Sequence, residues 1–548
     1  MNETVDPVTL ALTGVLPFGV IAGALLAYPL SRLLLRVYHR SVARSMAQHG
    51  GAAPNPVPAA PAPAGRPESA LQLVDSTGGA HSPLVNAPWS VALAYAAAGS
   101  AFALAMTAAW LVATKDASLP ATKLLLLFWT YFWPAVLTVN LVAGLRRHHW
   151  TFIGIYFAVY ALLTGVALAR NPAMGWHELP LYWLLINGPP SLLLAAFLAR
   201  RIRAVGPMVL AFMVIAVTGS QVPATVLSHN DGLLRWVAEV GTAAGLNASV
   251  IFWGLMLAGL LAFALAGWLV LQWVGQRYRR KRLSDQMLTI DALWLVFGLV
   301  HSIGLVFEGW YWILTGFAAF AAFLAVRSAG FAMLRRSAKH RPRRLLLLRV
   351  FALGPRSERL FDLLQKHWLR AGDIVMIAGP DLVTSTVEPH EFLEFLASGV
   401  SRQFVKDRAD LARRLEGLDT AADPDLRYRV NEFFCHADTW QMTMRELAER
   451  SDAVLMDLRS FSSSNQGCLF EVGELLKAVD LRRVVFVIDA TTDRRFLEAA
   501  MASLWEDLPA DSPNRRQTQP AARLLDLGAG SGQPALPGLF SALSPIGL

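Results

Sequence analysis

Three segments in the last third of the chain carry residue types from which a small-molecule site is built, and each follows an apolar run. Gly354-Pro355-Arg356-Ser357 follows LLLLRVFAL and precedes a helical pattern, whose first free amides would hold an anion. PDLVTSTVEP, a polar stretch containing Asp381, follows DIVMIAG. The third, RSFSSSNQGCLFEVGELL, follows DAVLMDL; it presents Asp457 and Arg459 at the strand end, Ser462 in the loop and Glu471 in the opening turns of a helix. The planar guanidinium of Arg459 suits a phosphate, and Glu471 brings a carboxylate to the same rim. Each residue also has a plain structural use. Ser357 caps a helix, Glu358 and Glu471 favour a helix dipole, and Arg459 pairs with Asp457. The residues alone leave both uses open.

The elements that must position them are short and apolar. LLLLRVFAL (345–353), DIVMIAG (373–379), YRVNEFF (428–434), DAVLMDL (452–458) and VVFVIDA (484–490) read as strands. Amphipathic patterns over 357–371, 390–397, 404–415, 439–450 and 468–479 read as helices between them. Strands lacking polar alternation and separated by helices predict a parallel sheet covered on both faces, hence a three-layer, doubly wound α/β domain over 345–508. Ligands of such sheets bind beyond the carboxyl ends of the strands, where all three segments emerge.

The rest of the chain belongs to another solvent. Of 548 residues, 54% are hydrophobic and 16% charged, and the mean hydropathy is +0.41. Soluble domains carry about 25% charged residues. Nine apolar runs are long enough to cross a bilayer: 8–30, 89–112, 124–145, 151–169, 179–199, 208–227, 248–274, 287–306 and 310–326. The interrupted stretch 233–243 is too short and predicts a surface segment. Arginine-rich loops (Arg32 to Arg44, Arg146–Arg147, Arg200 to Arg203, Arg277–Arg282, Arg335–Arg344) alternate with loops holding little more than Lys115, Lys123, Arg170 and Arg235. Nine spans put every basic loop on one side, which predicts an outside N-terminus and a cytoplasmic C-terminal domain in the plasma (inner) membrane. The acidic start MNETVDPVTL predicts a retained first span rather than a secretory signal.

Residues 1–40 thus form a first span with its basic flank, and 89–334 carry eight more. The Ala/Pro-rich stretch 41–88 and the tail 509–548 predict a disordered linker and a flexible end. Asn187, followed by Gly-Pro-Pro, suggests a broken helix, and Asp291, His301 and Glu308 are polar groups in or beside the last two spans. The net charge of +9 is explained by topology-setting arginines, so no nucleic-acid partner is expected. Two cysteines, Cys435 and Cys468, exclude a disulfide framework. No motif calls for a metal or a cofactor; GAGSG in the tail lacks the lysine and strand–helix context of a phosphate loop.

MRELAERSDAVLMDLRSFSSSNQGCLFEVGELL resembles the TIR-domain pattern of helix, buried strand, serine-bearing loop and Trp-Cys-x-x-Glu-Leu. Cys468 and Glu471 take the Cys-x-x-Glu spacing, with Gly467 in place of tryptophan, and AGDIVMIAGPDL resembles that family's second strand. The opening strand is reduced to LRVFALG, the family's Arg-Asp/Pro-Gly loop is missing, and an insertion precedes the Met444 helix. The same segment through VVFVID is similar to nucleoside deoxyribosyltransferases, whose glutamate opens a Glu-x-Gly helix, here Glu471-Val472-Gly473. Both resemblances imply a flavodoxin/TIR-like domain in which Glu471 acts at an N-glycosidic bond, because a carboxylate stabilises the oxocarbenium-like sugar left by a departing base. They imply a nucleotide ligand and self-association through the cytoplasmic domain. Three roles follow as expectations: a membrane-tethered effector that cleaves a nucleotide such as NAD, a non-catalytic signalling scaffold, or a transporter with a nucleotide-sensing domain.

Overall fold

A computed structural model describes residues 16–48, 71–75, 88–115, 121–143, 146–171, 173–197, 205–228, 230–337, 341–349, 355–378, 392–393, 395–396, 404–436, 438–528 and 536–543. The chain divides into two compact units. One comprises Met1–Arg36, Pro88–Ala338 and Glu388–Leu393; the other comprises Val37–Ala87, Lys339–Val387 and Glu394–Leu548.

The apolar runs become α1 (Leu16–Gln48), α2 (Pro88–Thr114), α3 (Ala121–Tyr131), α4 (Trp133–Ala143), α5 (Arg146–Arg170), α6 (Glu178–Phe197), α7 (Gly206–Ser228), α9 (Ala248–Arg279), α10 (Asp285–Ile303) and α11 (Leu314–Ser337). Among the described residues eight helices are long and apolar enough to cross a membrane, or nine if α3 and α4 form one span. Those two are bent by 42° about Phe132, so the continuous third span expected over 124–145 is in fact broken. Pro134 is the cause: it has no N–H to give the Thr130 carbonyl four residues back. Asn187 Nδ2 reaches that carbonyl from α6 at 3.3 Å, and its Oδ1 lies 3.1 Å from His301 Nε2 on α10.

The break expected at Asn187–Pro190 is absent, since α6 runs through both prolines. Ser191 Oγ donates to the Asn187 carbonyl at 2.6 Å and accepts from Trp133 Nε1 at 2.8 Å. Asp291 is ion-paired with Arg327 of α11, whose guanidinium lies over the Phe323 ring. Gly298 and Gly316 bring α10 and α11 together backbone to backbone, where a Cβ on either would collide with the opposite carbonyl. The stretch 233–243 forms a separate short helix, α8 (Asp231–Ala243), capped by Asn230 Oδ1, with Leu233, Trp236 and Val240 exposed.

The second unit holds an eight-stranded sheet: β1 (Gln72–Asp75), β2 (Leu345–Arg349), β3 (Ile374–Ile377), β4 (Phe404–Val405), β5 (Val430–Cys435), β6 (Ala453–Asp457), β7 (Val484–Ile488) and β8 (Ala521–Asp526). Its order is β1-β8-β7-β6-β2-β3-β5-β4, with every pairing parallel. Successive side chains of each strand point to opposite faces, and both faces are apolar. Leu346, Leu348, Val454, Met456 and Phe486 pack with α14 (Trp440–Glu449), α15 (Gln466–Ala478) and α16 (Arg494–Glu506). Leu345, Leu347, Leu455, Val485 and Val487 pack with α12 (Pro355–His367) and α17 (Leu536–Leu543).

Three expectations are corrected here. Residues 72–75, read as linker, are the edge strand β1, because β8 offers an open backbone ladder that a short QLVD segment completes. The tail read as flexible supplies β8 and α17, and Leu539 and Phe540 are fully buried. Phe404–Leu415, read as one helix, begins as strand β4; Asp407 Oδ1 then accepts from the Asp410 amide at 2.7 Å and starts α13 (Arg408–Glu416). The helix expected over 390–397 lies mostly outside the described residues, as do residues 49–70 of the linker.

The burial of α17 makes a direct prediction. Phe540, tilted against His367 at a ring separation of 5.4 Å, fills the layer opposite α15. Phe540→Ala should destabilise the unit by about 3–5 kcal/mol. Hydrogen exchange should read this as lost amide protection in β7 and β8, while Ser541→Ala changes little. Unchanged protection in Phe540→Ala would mean the tail is not part of this core.

Candidate functional site

The sheet order locates the site. From β2 the chain turns to β3 on one side, and β6 returns to β2's other side, so the winding reverses between β2 and β6. In doubly wound sheets such a reversal point is where helices diverge and a ligand crevice forms beyond the carboxyl ends of the two strands. Arg349 ends β2 and Asp457 ends β6, facing each other in register.

Above them, the loop after β6 folds into α15. Ser462 gives its amide and hydroxyl to Asn465 Oδ1 at 2.9 and 3.2 Å, which fixes the turn ahead of the helix. Cys468 Sγ lies 3.9 Å from the Arg349 carbonyl and ties the first turn of α15 to the end of β2. One turn later comes Glu471, on the face of α15 that packs against the sheet.

Glu471 is 4% exposed, and its Oε2 has no hydrogen-bond partner among the described residues. Burial pushes its carboxyl up to about 8, and the positive charge of Arg349, itself 4% exposed, offsets only part of that. At neutral pH the group is therefore mostly a neutral acid with an oxygen to spare. Burial likewise pushes the Cys468 thiol up, and the nearby carboxylates Glu471 and Asp457 add to it, so this sulfur stays protonated and unreactive. Glu474 faces outward, pairing with Arg445 at 2.7 Å.

Asp457 and Arg459 close on each other. The guanidinium forks onto the carboxylate through Nε at 2.7 Å and Nη2 at 2.6 Å, and the Arg459 amide adds a third contact at 3.2 Å. Arg459 is thus ion-paired with the carboxylate that ends β6. The next residue, Ser460, adopts a left-handed backbone with φ 59°, which costs a non-glycine residue about 1–2 kcal/mol. Its amide and hydroxyl both bond Thr491 Oγ1, at 3.1 and 2.9 Å, and Thr491 bonds Asp489. These contacts lace the loop after β6 to the loop after β7.

The structure thus gathers Asp457, Arg459, Ser462 and Glu471 at one edge, and Glu471 Oε2 is a buried oxygen there without a hydrogen-bond partner among the described residues. Gly354 and Asp381 lie outside the described residues, as do the side chains of Arg356 and Ser357, whose backbone opens α12. Arg349 was not singled out from sequence. Its signal is a lone cation closing LLLLR, a run with no other polar residue, but its importance follows only from the β2–β6 neighbour relation. Chemically, the crevice offers a dry carboxylic acid beside a guanidinium: a proton to donate, and a carboxylate once it is given.

The proton should be visible in stability. Glu471 titrates near its ordinary 4.5 in the unfolded chain and near 8 when folded, so between those values the folded state holds the extra proton. Stability therefore falls as pH rises through that window, by about 1.4 kcal/mol per unit from this group, and is flat in it below and above. Glu471→Gln should remove that slope in pH-dependent denaturation of the full chain. An unchanged slope would show that Glu471 is ionised in the folded protein.

No family model, no curated protein and no solved structure matches this chain, so the crevice is interpreted from its own geometry.

Proposed function

We propose that the protein is a multi-pass membrane protein whose cytoplasmic TIR-like domain binds a nucleotide at the β2–β6 crevice and cleaves its N-glycosidic bond. The observation that carries this reading is Glu471: a buried acid with an unpartnered oxygen at the carboxyl edge where the strand order reverses. The six strands β5-β3-β2-β6-β7-β8 follow the order 3-2-1-4-5-6 common to dinucleotide-binding sheets, which supports a nucleotide as the ligand class.

In this reading the neutral acid protonates an uncharged departing base as the bond from the anomeric carbon to nitrogen breaks, with the bonding electrons leaving on the base. A pyridinium base such as the nicotinamide of NAD takes those electrons and departs neutral without that proton, and its positive charge beside Glu471 favours the carboxylate before the bond breaks. The carboxylate stabilises the oxocarbenium-like sugar and accepts the proton released as water adds to it. Arg349 keeps that carboxylate favourable at the moment it forms. The membrane helices tether the domain to a bilayer, and their arginine-rich ends support a cytoplasmic placement for it.

Two measurements test this proposal. Purified full-length protein should release free base from a nucleotide such as NAD, and Glu471→Gln should lower the rate by about 10²–10³-fold without unfolding the chain. Glu474→Gln, one turn along α15, should remain within a few-fold of the parent. A Glu471→Gln variant as active as the parent overturns the chemistry. For orientation, reporters fused after Lys115, Arg170 and Asp231 should report outside, and those after His149, Arg203 and Leu283 inside. A single exchanged pair would discard the nine-span arrangement.

A further inference from the structure

The edge strand β1 is unlike the rest of the sheet. Residues 76–344 separate it from β2, so it belongs to the loop between α1 and α2 rather than to the chain segment that winds the domain. Its attachment to the sheet is almost entirely generic. Gln72 to Asp75 pair in parallel with Ala521 to Leu524, and the Gln72 amide also donates to the Pro520 carbonyl at 2.9 Å. One side chain, Leu71, is buried in the core, with Leu73 packed partly against it. Val74 and Asp75 are exposed, and Asp75 meets Arg494 of α16 at 3.1 Å in a pair that is about half-exposed on both sides.

A ladder of backbone bonds with one anchoring leucine recognises an extended Leu-Gln-Leu-Val-Asp segment whichever chain supplies it. Every copy of the protein carries that segment, tethered by residues 49–70 to α1 and by residues 76–87 to α2. Twelve residues span at most about 40 Å. The bonds made within one chain and between two are identical, so the tethers and the local density of copies decide between them.

We propose that the β8 edge is the self-association surface of this protein, and that neighbouring copies assemble by exchanging β1. The occupant is the 71–75 segment of a second copy, placed in the same parallel register. Such an exchange would join the membrane loop of one chain to the sheet of another without altering the crevice at β2 and β6.

Cysteines in register test it. Gln72 and Ala521 are paired across strands about 4.8 Å apart, within the range a disulfide spans. The native Cys435 and Cys468 are both buried and do not compete. Full-length Gln72→Cys and Ala521→Cys chains with different tags would be co-expressed, their membranes mildly oxidised, and the products separated without reductant. Exchange predicts a disulfide-linked pair carrying both tags. Adding Leu71→Asp to the first chain should reduce that product by about tenfold or more, the loss expected when an anchoring core leucine becomes a charge. The proposal is overturned if the mixed pair never forms, whether the Gln72→Cys/Ala521→Cys double variant closes within one chain or fails to close. It is equally overturned if the mixed pair survives Leu71→Asp, since random collision then explains it.

Discussion

A parallel sheet buried on both faces has no surface to give to water, and this constraint organises the whole sheet-bearing unit. It makes β3 and β7 fully apolar and β2 and β6 apolar up to their last residue, because a polar side chain on either face would lie in a core. It requires helices on both sides, and the chain returns from its last strand to lay α17 beside α12. It also confines polar chemistry to the carboxyl rim, where backbone and side chains meet solvent. Arg349 and Asp457 are each the final residue of their strand, the first place where a charge is tolerable.

Charges inside this protein are handled in two ways. Asp457 with Arg459, and Asp291 with Arg327, are joined directly, so each carboxylate is compensated by its own guanidinium. Breaking such a pair on one side leaves a bare buried charge, which costs about 3–5 kcal/mol. Glu471 Oε2 has no hydrogen-bond partner among the described residues, and burial favours the protonated form of the group. A group kept neutral by burial costs less to hold than an unpaired ion but still dislikes its surroundings. That difference separates the ion-paired carboxylates from the one kept as an acid.

Much of this was legible in residue types and periodicity. The strands at 345–349, 374–377, 453–457 and 484–488 stand out because uninterrupted Leu, Val, Ile and Met runs have no use on a surface. The apolar helices were legible by length alone, and Glu471, Asp457 and Ser462 were found at the rim expected of them. Most of the failures come from long-range pairing. QLVD, AARLLD and FV are too short and too mixed to specify a strand, and become strands because a neighbouring edge presents unpaired backbone groups. The role of Arg349 depends on which strand lies beside β2, a long-range fact that no local pattern carries. The bend at Phe132 was hidden for the opposite reason: its run is apolar throughout, and Pro134 alone marks it.

That proline has a consequence for how the sequence can change. Pro134 leaves the Thr130 carbonyl without its helical donor, Asn187 supplies one, and the other end of the amide is engaged by His301. Three helices therefore share one chain of hydrogen bonds, and no member is replaceable alone. Leucine at 187 would strand two polar groups at once, each costing about 1–3 kcal/mol in a buried setting. An alanine at 134 would give Thr130 back its own N–H and leave the Asn187 donor idle. Positions 134, 187 and 301 are thus bound to drift together: among divergent versions of this chain, an ordinary helical residue at 134 should travel with an apolar residue at 187.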